Sequence, residues 1–149
     1  MDITILYGTE TGNAEMLCED IQAALEESGH DILMENLSDV NPADLDLARV
    51  HLVVCSTYGD GELPASAKPF AEAMTDAPDL NGLQFGIFGL GDREYETFNL
   101  GSKQIEEMLV GAGATLISER VTHDASGSDM AEDVAVPWAE AVISAVEAA

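Results

Sequence analysis

Three short segments of the chain gather residue types that suit a ligand better than a core. The first is Gly8-Thr9-Glu10-Thr11-Gly12-Asn13-Ala14. It follows the apolar run Ile3 to Tyr7 and precedes a helical pattern, which places it at a helix N-terminus. Free backbone amides and the positive end of the helix dipole suit a phosphate there, and Thr9, Thr11 and Asn13 add uncharged donors. The segment holds no Lys or Arg. Neither the Gly-Lys-Ser/Thr ending of a triphosphate loop nor the G-x-G-x-x-G of a dinucleotide site is present. What remains is a seat for one terminal phosphate. An ordinary capped strand-to-helix turn is the alternative that this segment alone leaves open.

The second segment, Ser56-Thr57-Tyr58-Gly59-Asp60-Gly61-Glu62-Leu63-Pro64, follows the most apolar stretch of the chain. Gly59 and Gly61 let the backbone approach a ligand closely or turn over, and Tyr58 stands at the tip, where burial in a core is hard to arrange. The third runs Gly89-Leu90-Gly91-Asp92-Arg93-Glu94-Tyr95-Glu96-Thr97-Phe98-Asn99. Tyr58 and Tyr95 come from neighbouring strand ends and are placed to face one another across a flat, amphipathic ring. Phe98 reads either as a ligand contact or as core of the helix that follows.

The elements that must carry these segments are read from hydrophobic period. Ile3–Tyr7, Asp31–Leu37, Val50–Cys55, Phe85–Leu90 and Thr115–Val121 read as strands, the second nearer an edge and the third central. Ala14, Leu17, Cys18, Ile21, Ala24 and Leu25 share one helix face, and Gly29 ends that helix. Asn41–Leu47 is a connector of a turn or two. Ser66–Thr75 is a helix with Pro69 near its start. Phe98, Gly101, Ile105, Met108, Leu109 and Ala112 mark another. The last helix is expected to bury Val134, Trp138, Ala141, Val142 and Ala145, with Asp133 as N-cap and Pro137 in the first turn. Strand and helix alternate throughout. That is an α/β fold, a parallel sheet covered on both faces by right-handed crossovers. Ligands of such sheets bind beyond the carboxyl ends of the strands, where strand order reverses. All three segments fall there.

The chain has 149 residues, enough for one domain with a real core, and 46% of them are hydrophobic. No apolar run nears the roughly 18 residues of a membrane span. Met1-Asp2-Ile3-Thr4 has no basic region and reads as strand, so no signal peptide is expected. Cys18 and Cys55 read as small core residues, not a disulfide or zinc site. His30, His51 and His123 are expected at the surface, and no catalytic set emerges. Against five Lys and Arg stand 29 Asp and Glu, a formal charge of -24. Such an acidic protein repels nucleic acid and anionic membranes. It attracts a basic protein partner, although adaptation to a salty cytoplasm or simple solubility accounts for the charge equally well.

The three segments, in this order and spacing and over essentially the whole chain, resemble the three FMN loops of flavodoxins. The likeness is to MioC-type short flavodoxins and to the FMN domains of cytochrome P450 reductase and sulfite reductase in particular. The resemblance implies a single flavodoxin-like FMN-binding domain over residues 1–149, a three-layer sandwich whose five-stranded sheet has the order 2-1-3-4-5. It implies that Thr9, Glu10, Thr11, Gly12, Asn13 and Ala14 form the phosphate loop, with the Ser56 hydroxyl nearby. Thr57, Tyr58, Gly59, Asp60 and Gly61 would follow, Tyr58 and Tyr95 sandwiching the isoalloxazine and the Gly59–Asp60 peptide lying beside flavin N5. Gly91, Asp92 and Glu94 would line the pyrimidine edge, with Phe98 close by. Some features depart from the family's habit. Tyr58 stands where many flavodoxins have Trp, the single Trp138 lies on the last helix, the fifth strand has no long insertion, and Arg93 puts a positive charge beside the flavin.

The implied function is that of a flavoprotein electron carrier, a cytoplasmic monomer that shuttles low-potential electrons. A flavodoxin or ferredoxin reductase would supply them, and an acceptor such as biotin synthase or a cytochrome would take them. Nothing in the chain resembles an NADPH- or FAD-binding domain, so the reductant is expected to be a separate protein. The field of the acidic loops should separate the two one-electron steps and lower the second. A second reading is an FMN-dependent NAD(P)H quinone or azo reductase. A third, a flavin-free phospho-receiver domain, fits poorly. It needs acidic residues after the first strand and an Asp ending the third, where Tyr7-Gly8-Thr9 and Cys55-Ser56-Thr57 stand.

Overall fold

The computed structural model describes residues 2–8, 13–56, 68–76, 79–91, 100–117, 121–124 and 131–148. Strand β1 (Asp2–Gly8) leads into helix α1 (Asn13–Glu27), then β2 (Asp31–Asn36). Two single turns of tight helix, Leu37–Asp39 and Pro42–Asp44, cross to β3 (Val50–Ser56). Helix α2 (Lys68–Met74), β4 (Gln84–Gly91) and α3 (Leu100–Gly111) follow. Two short strands, β5 (Thr115–Leu116) and β6 (Val121–Asp124), precede α4 (Ala131–Ala148). All pairings are parallel and the order is β2-β1-β3-β4-β5, as expected, with β6 also on β4.

Period-two alternation divides the core. Ile3, Ile5 and Tyr7 of β1, Val50, Leu52 and Val54 of β3, and Phe88 of β4 pack against α1 and α4. Leu6, Val53, Cys55, Phe85 and Ile87 point the other way, into the layer of α2 and α3. The central strands are apolar on both faces because both are covered. Helix α1 buries Ala14, Leu17, Cys18, Ile21 and Leu25 as its pattern demands, and Gly29 ends its turn at φ +89.

Three expectations need correction. The stretch read as one strand, Thr115–Val121, is two: β5 pairs with Gln84 and Phe85, and β6 with Phe88 through Gly91. Both lie along the same side of β4, so β6 resumes β5's place beside that strand.

In α4, Pro137 is the seventh residue and Asp133 lies inside the helix. The buried face runs through Ala135, Trp138, Ala139, Val142 and Ile143, while Ala141 and Ala145 are exposed. Pro137 itself faces solvent, where water can take the carbonyl its missing N–H leaves open.

Finally, His51 is not at the surface. It is 1% exposed, on β3 beside Thr4 of β1.

The burial of His51 gives a testable pH dependence. Desolvation lowers its pKa to about 4, against a smaller opposing effect of the hydrogen bond between Nδ1 and the Arg49 carbonyl at 3.0 Å. The folded value lies below the unfolded one, so between these two values the folded state binds fewer protons. Stability tied to the neutral ring is whole above the ordinary value of 6.5 and is lost as pH falls toward 4. In urea unfolding the wild type should lose about 2–3 kcal/mol more than His51→Gln on going from about pH 7 to 4.5. Carboxylate protonation is common to both proteins, so parallel pH profiles would contradict the assignment.

Candidate functional site

Strands β1, β3 and β4 lie side by side, and their register brings their ends to one edge. Gly8 is opposite Cys55, and Ser56 is opposite Leu90. Strand order reverses between β1 and β3, so a crevice opens there. Residues 9–12 span the gap from Gly8 to the start of α1 at Asn13. The first-turn amides of this 15-residue helix have no partner within it, and the dipole makes that end positive. An anion is therefore favoured where the first segment runs.

Four predicted site residues fall within the described chain. Asn13 and Ala14 form the first turn of α1, Ser56 ends β3 and Gly91 ends β4, so all four lie at this one edge. Ala14 is fully buried, which limits its part to its backbone amide. Thr9, Glu10, Thr11, Gly12, Thr57, Tyr58, Gly59, Asp60, Gly61, Asp92, Glu94, Tyr95 and Phe98 lie outside the described residues. They belong to segments that leave Gly8, Ser56 and Gly91.

One positioning contact escaped the sequence reading. The Tyr7 hydroxyl donates to Glu15 Oε1 at 3.2 Å, tying the end of β1 to the first turn of α1 across residues 9–12. Burial, then the Glu15 carboxylate, raises the Tyr7 phenol above its ordinary pKa, so it stays a donor at neutral pH. The hint was an eight-residue spacing that joins a strand end to a helix start, which no single-element pattern detects. The neighbouring thiols are inert by contrast. Burial pushes Cys55 up to about 12 and Cys18 higher, so neither offers a thiolate. Among the described residues no group of three His, Cys, Asp or Glu could hold a metal ion.

A short connection without Lys or Arg that leads from Gly8 into a helix N-terminus, at the same sheet edge as Gly91, fits a flavin mononucleotide. It offers one anion seat and backbone that can come close to a flat ring. The flavodoxin family profile matches residues 5–138. The chain belongs to the flavodoxin family. It is 36% identical to Protein MioC of Escherichia coli (strain K12) over 138 residues, 92% of each chain. It is 35% identical to the sulfite reductase (NADPH) flavoprotein alpha-component of Bacillus subtilis over 150 residues, 99% of this chain and 24% of that protein. The chain thus spans about a quarter of that relative's length. A cysteine variant of the flavodoxin from Pseudomonas aeruginosa superposes with a TM-score of 0.86 at 31% identity, covering 99% of both chains. This flavodoxin is an FMN-dependent electron-transfer protein. Bound FMN supplies the redox chemistry, and the chain's own residues seat it and set the field around it.

Proposed function

We propose that this flavodoxin is a carrier and not an enzyme, taking electrons from a reductase and delivering them to an acceptor with a basic docking face. The observation that carries this is the meeting of Gly8, Ser56 and Gly91 beside the N-terminus of α1. The phosphate is held by residues 9–14 and the Ser56 hydroxyl, without a Lys or Arg. Tyr58 and Tyr95 cover the two faces of the ring, Gly59–Asp60 and Gly61 lie along its reactive edge, and Gly91 and Asp92 along the pyrimidine edge. Phe98 sits at the entry to α3. With both faces covered, a nicotinamide has no place to stack, which argues against direct reduction.

Charge distribution supports the docking side. Helices α1 and α4 carry no Lys or Arg, whereas Lys68 and Lys103 lie on α2 and α3 across the sheet. The helices of the α1–α4 face are therefore acidic without a compensating Lys or Arg, and a basic reductase or acceptor is steered toward this face, whose α1 starts beside the phosphate loop. None of the helices among the described residues is long and apolar enough to cross a membrane. Action as a cytoplasmic monomer fits these features.

Stopped-flow reduction of the FMN-bound protein tests the carrier reading. NADPH alone should reduce it slowly, and a catalytic amount of flavodoxin reductase should make reduction fast. Fast reduction by NADPH alone would assign it to the FMN-dependent reductases instead. Tyr58→Ala and Tyr95→Ala should each weaken FMN binding about tenfold, the worth of one aromatic face. Fluorescence titration reads this directly, and unchanged affinity in both variants would remove the sandwich.

A further inference from the structure

The anion seat at the start of α1 has a rival within the chain. Counting from Asn13, Glu15 is the third residue of that helix. Side chains on a helix lean toward its N-terminus, and a glutamate at the third position reaches back to the unpaired backbone N–H groups there in the capping-box arrangement. Those N–H groups are the ones a phosphate needs. Residues 8–14 hold no Lys or Arg, so no cation favours an outside phosphate over the chain's own carboxylate. A carboxylate tethered to the helix competes at an effective concentration of about millimolar or higher.

The carboxylate is held elsewhere. Glu15 Oε1 accepts from the Tyr7 hydroxyl at 3.2 Å. Tyr7 is the last residue but one of β1, and its side chain is buried in the layer that packs against α1 and α4. The phenol is therefore a fixed anchor at the strand end. Glu15 is exposed, so packing does little to fix its carboxylate and the phenol does. Burial, then the Glu15 charge, raises the phenol's pKa, so the hydroxyl keeps its proton and goes on donating at neutral and mildly alkaline pH.

We propose that Tyr7 is a positioning residue for FMN: by binding the Glu15 carboxylate it keeps the chain's own anion off the first-turn amides of α1 and leaves them to the flavin's phosphate. This role rests on the reading that residues 9–14 seat that phosphate. It carries a consequence that a plain tether between β1 and α1 lacks. Glu15 opposes FMN binding once Tyr7 releases it.

The test is fluorescence titration of the full-length, flavin-free chain with FMN and with riboflavin, in about 0.3 M NaCl to screen distant charges. Tyr7→Phe keeps the ring and loses the hydroxyl. It should weaken FMN about tenfold, the order of one hydrogen bond to a charged group, and leave riboflavin within about twofold. Adding Glu15→Gln to that variant should restore FMN binding, because the side-chain amide has no charge with which to compete. Adding Glu19→Gln instead, the same charge change one turn along α1 on an exposed position, should not restore it. Glu15→Ala alone leaves Tyr7 untouched and should bind FMN at least as tightly as the wild type, whereas loss of a plain tether would weaken it. Unchanged FMN binding in Tyr7→Phe, equal weakening of FMN and riboflavin, no rescue by Glu15→Gln, equal rescue by Glu19→Gln, or weaker FMN binding in Glu15→Ala would each overturn the proposal. A wild type that binds riboflavin as tightly as FMN would instead remove the phosphate seat itself, and the role of Tyr7 with it.

Discussion

A Phe88→Ala variant is expected to lose about 3–5 kcal/mol of folding stability, the cost of deleting a fully buried aromatic ring. Phe88 is 0% exposed, and its ring centre lies 5.4 Å from that of Trp138 at 49°. The layer around it has no slack. Two residues earlier on the same face, a Cβ at Gly86 would lie 3.0 Å from Val142 Cγ2 and 3.4 Å from Trp138. Glycine there lets α4 settle onto the strand, so neighbours cannot readily close over the void that alanine leaves. Urea unfolding of the flavin-free protein at neutral pH measures the loss without the contribution of ligand binding. Phe88→Leu should keep most of the stability. A cost under about 1 kcal/mol for Phe88→Ala would mean that this layer is packed differently. Because β4 ends at Gly91, the same variant should also bind FMN less tightly.

The second large effect is on association rate. With a formal charge of -24, encounter with a basic redox partner should be accelerated about 10- to 1,000-fold at low ionic strength, and that gain should vanish as salt is raised. Second-order electron transfer from the reduced protein to cytochrome c, a basic acceptor, measured by stopped flow from about 10 mM to 1 M NaCl, reads it directly. Neutralising Glu19 and Asp20 on α1 should lower the low-salt rate more than neutralising Glu106 and Glu107 on α3 does. The two pairs carry equal charge and differ only in position. Equal effects would mean that net charge, not the α1 face, guides the partner, and a salt-independent rate would remove steering altogether.

Much of this is legible in the sequence, for physical reasons that vary by element. Strands β1, β3 and β4 are buried on both faces, so their apolar runs read without ambiguity. Helix α1 has a clean stripe from Ala14 to Leu25 and a glycine at its end. Helix α4 misled because it is rich in Ala and Val on every side, so a stripe through Ala141 and Ala145 looked as good as the true one through Ala135, Ala139 and Val142. His51 misled because a single polar residue in a strand reads as an edge or a surface position. Only the pairing of β3 with both β1 and β4, and the Arg49 carbonyl waiting for Nδ1, make its burial tolerable. The Tyr7–Glu15 contact is a tertiary fact with no local signature. The three loops were visible because glycine, hydroxyl and aromatic residues at strand ends are chemically unusual.

Titration of FMN into flavin-free protein tests the central claim most directly. Binding should saturate at one flavin per chain with a shifted visible band and quenched flavin fluorescence, and riboflavin, lacking the phosphate, should bind far more weakly. Protein that stays colourless after dialysis from excess FMN, or that binds riboflavin as tightly, would contradict a phosphate seat at the start of α1.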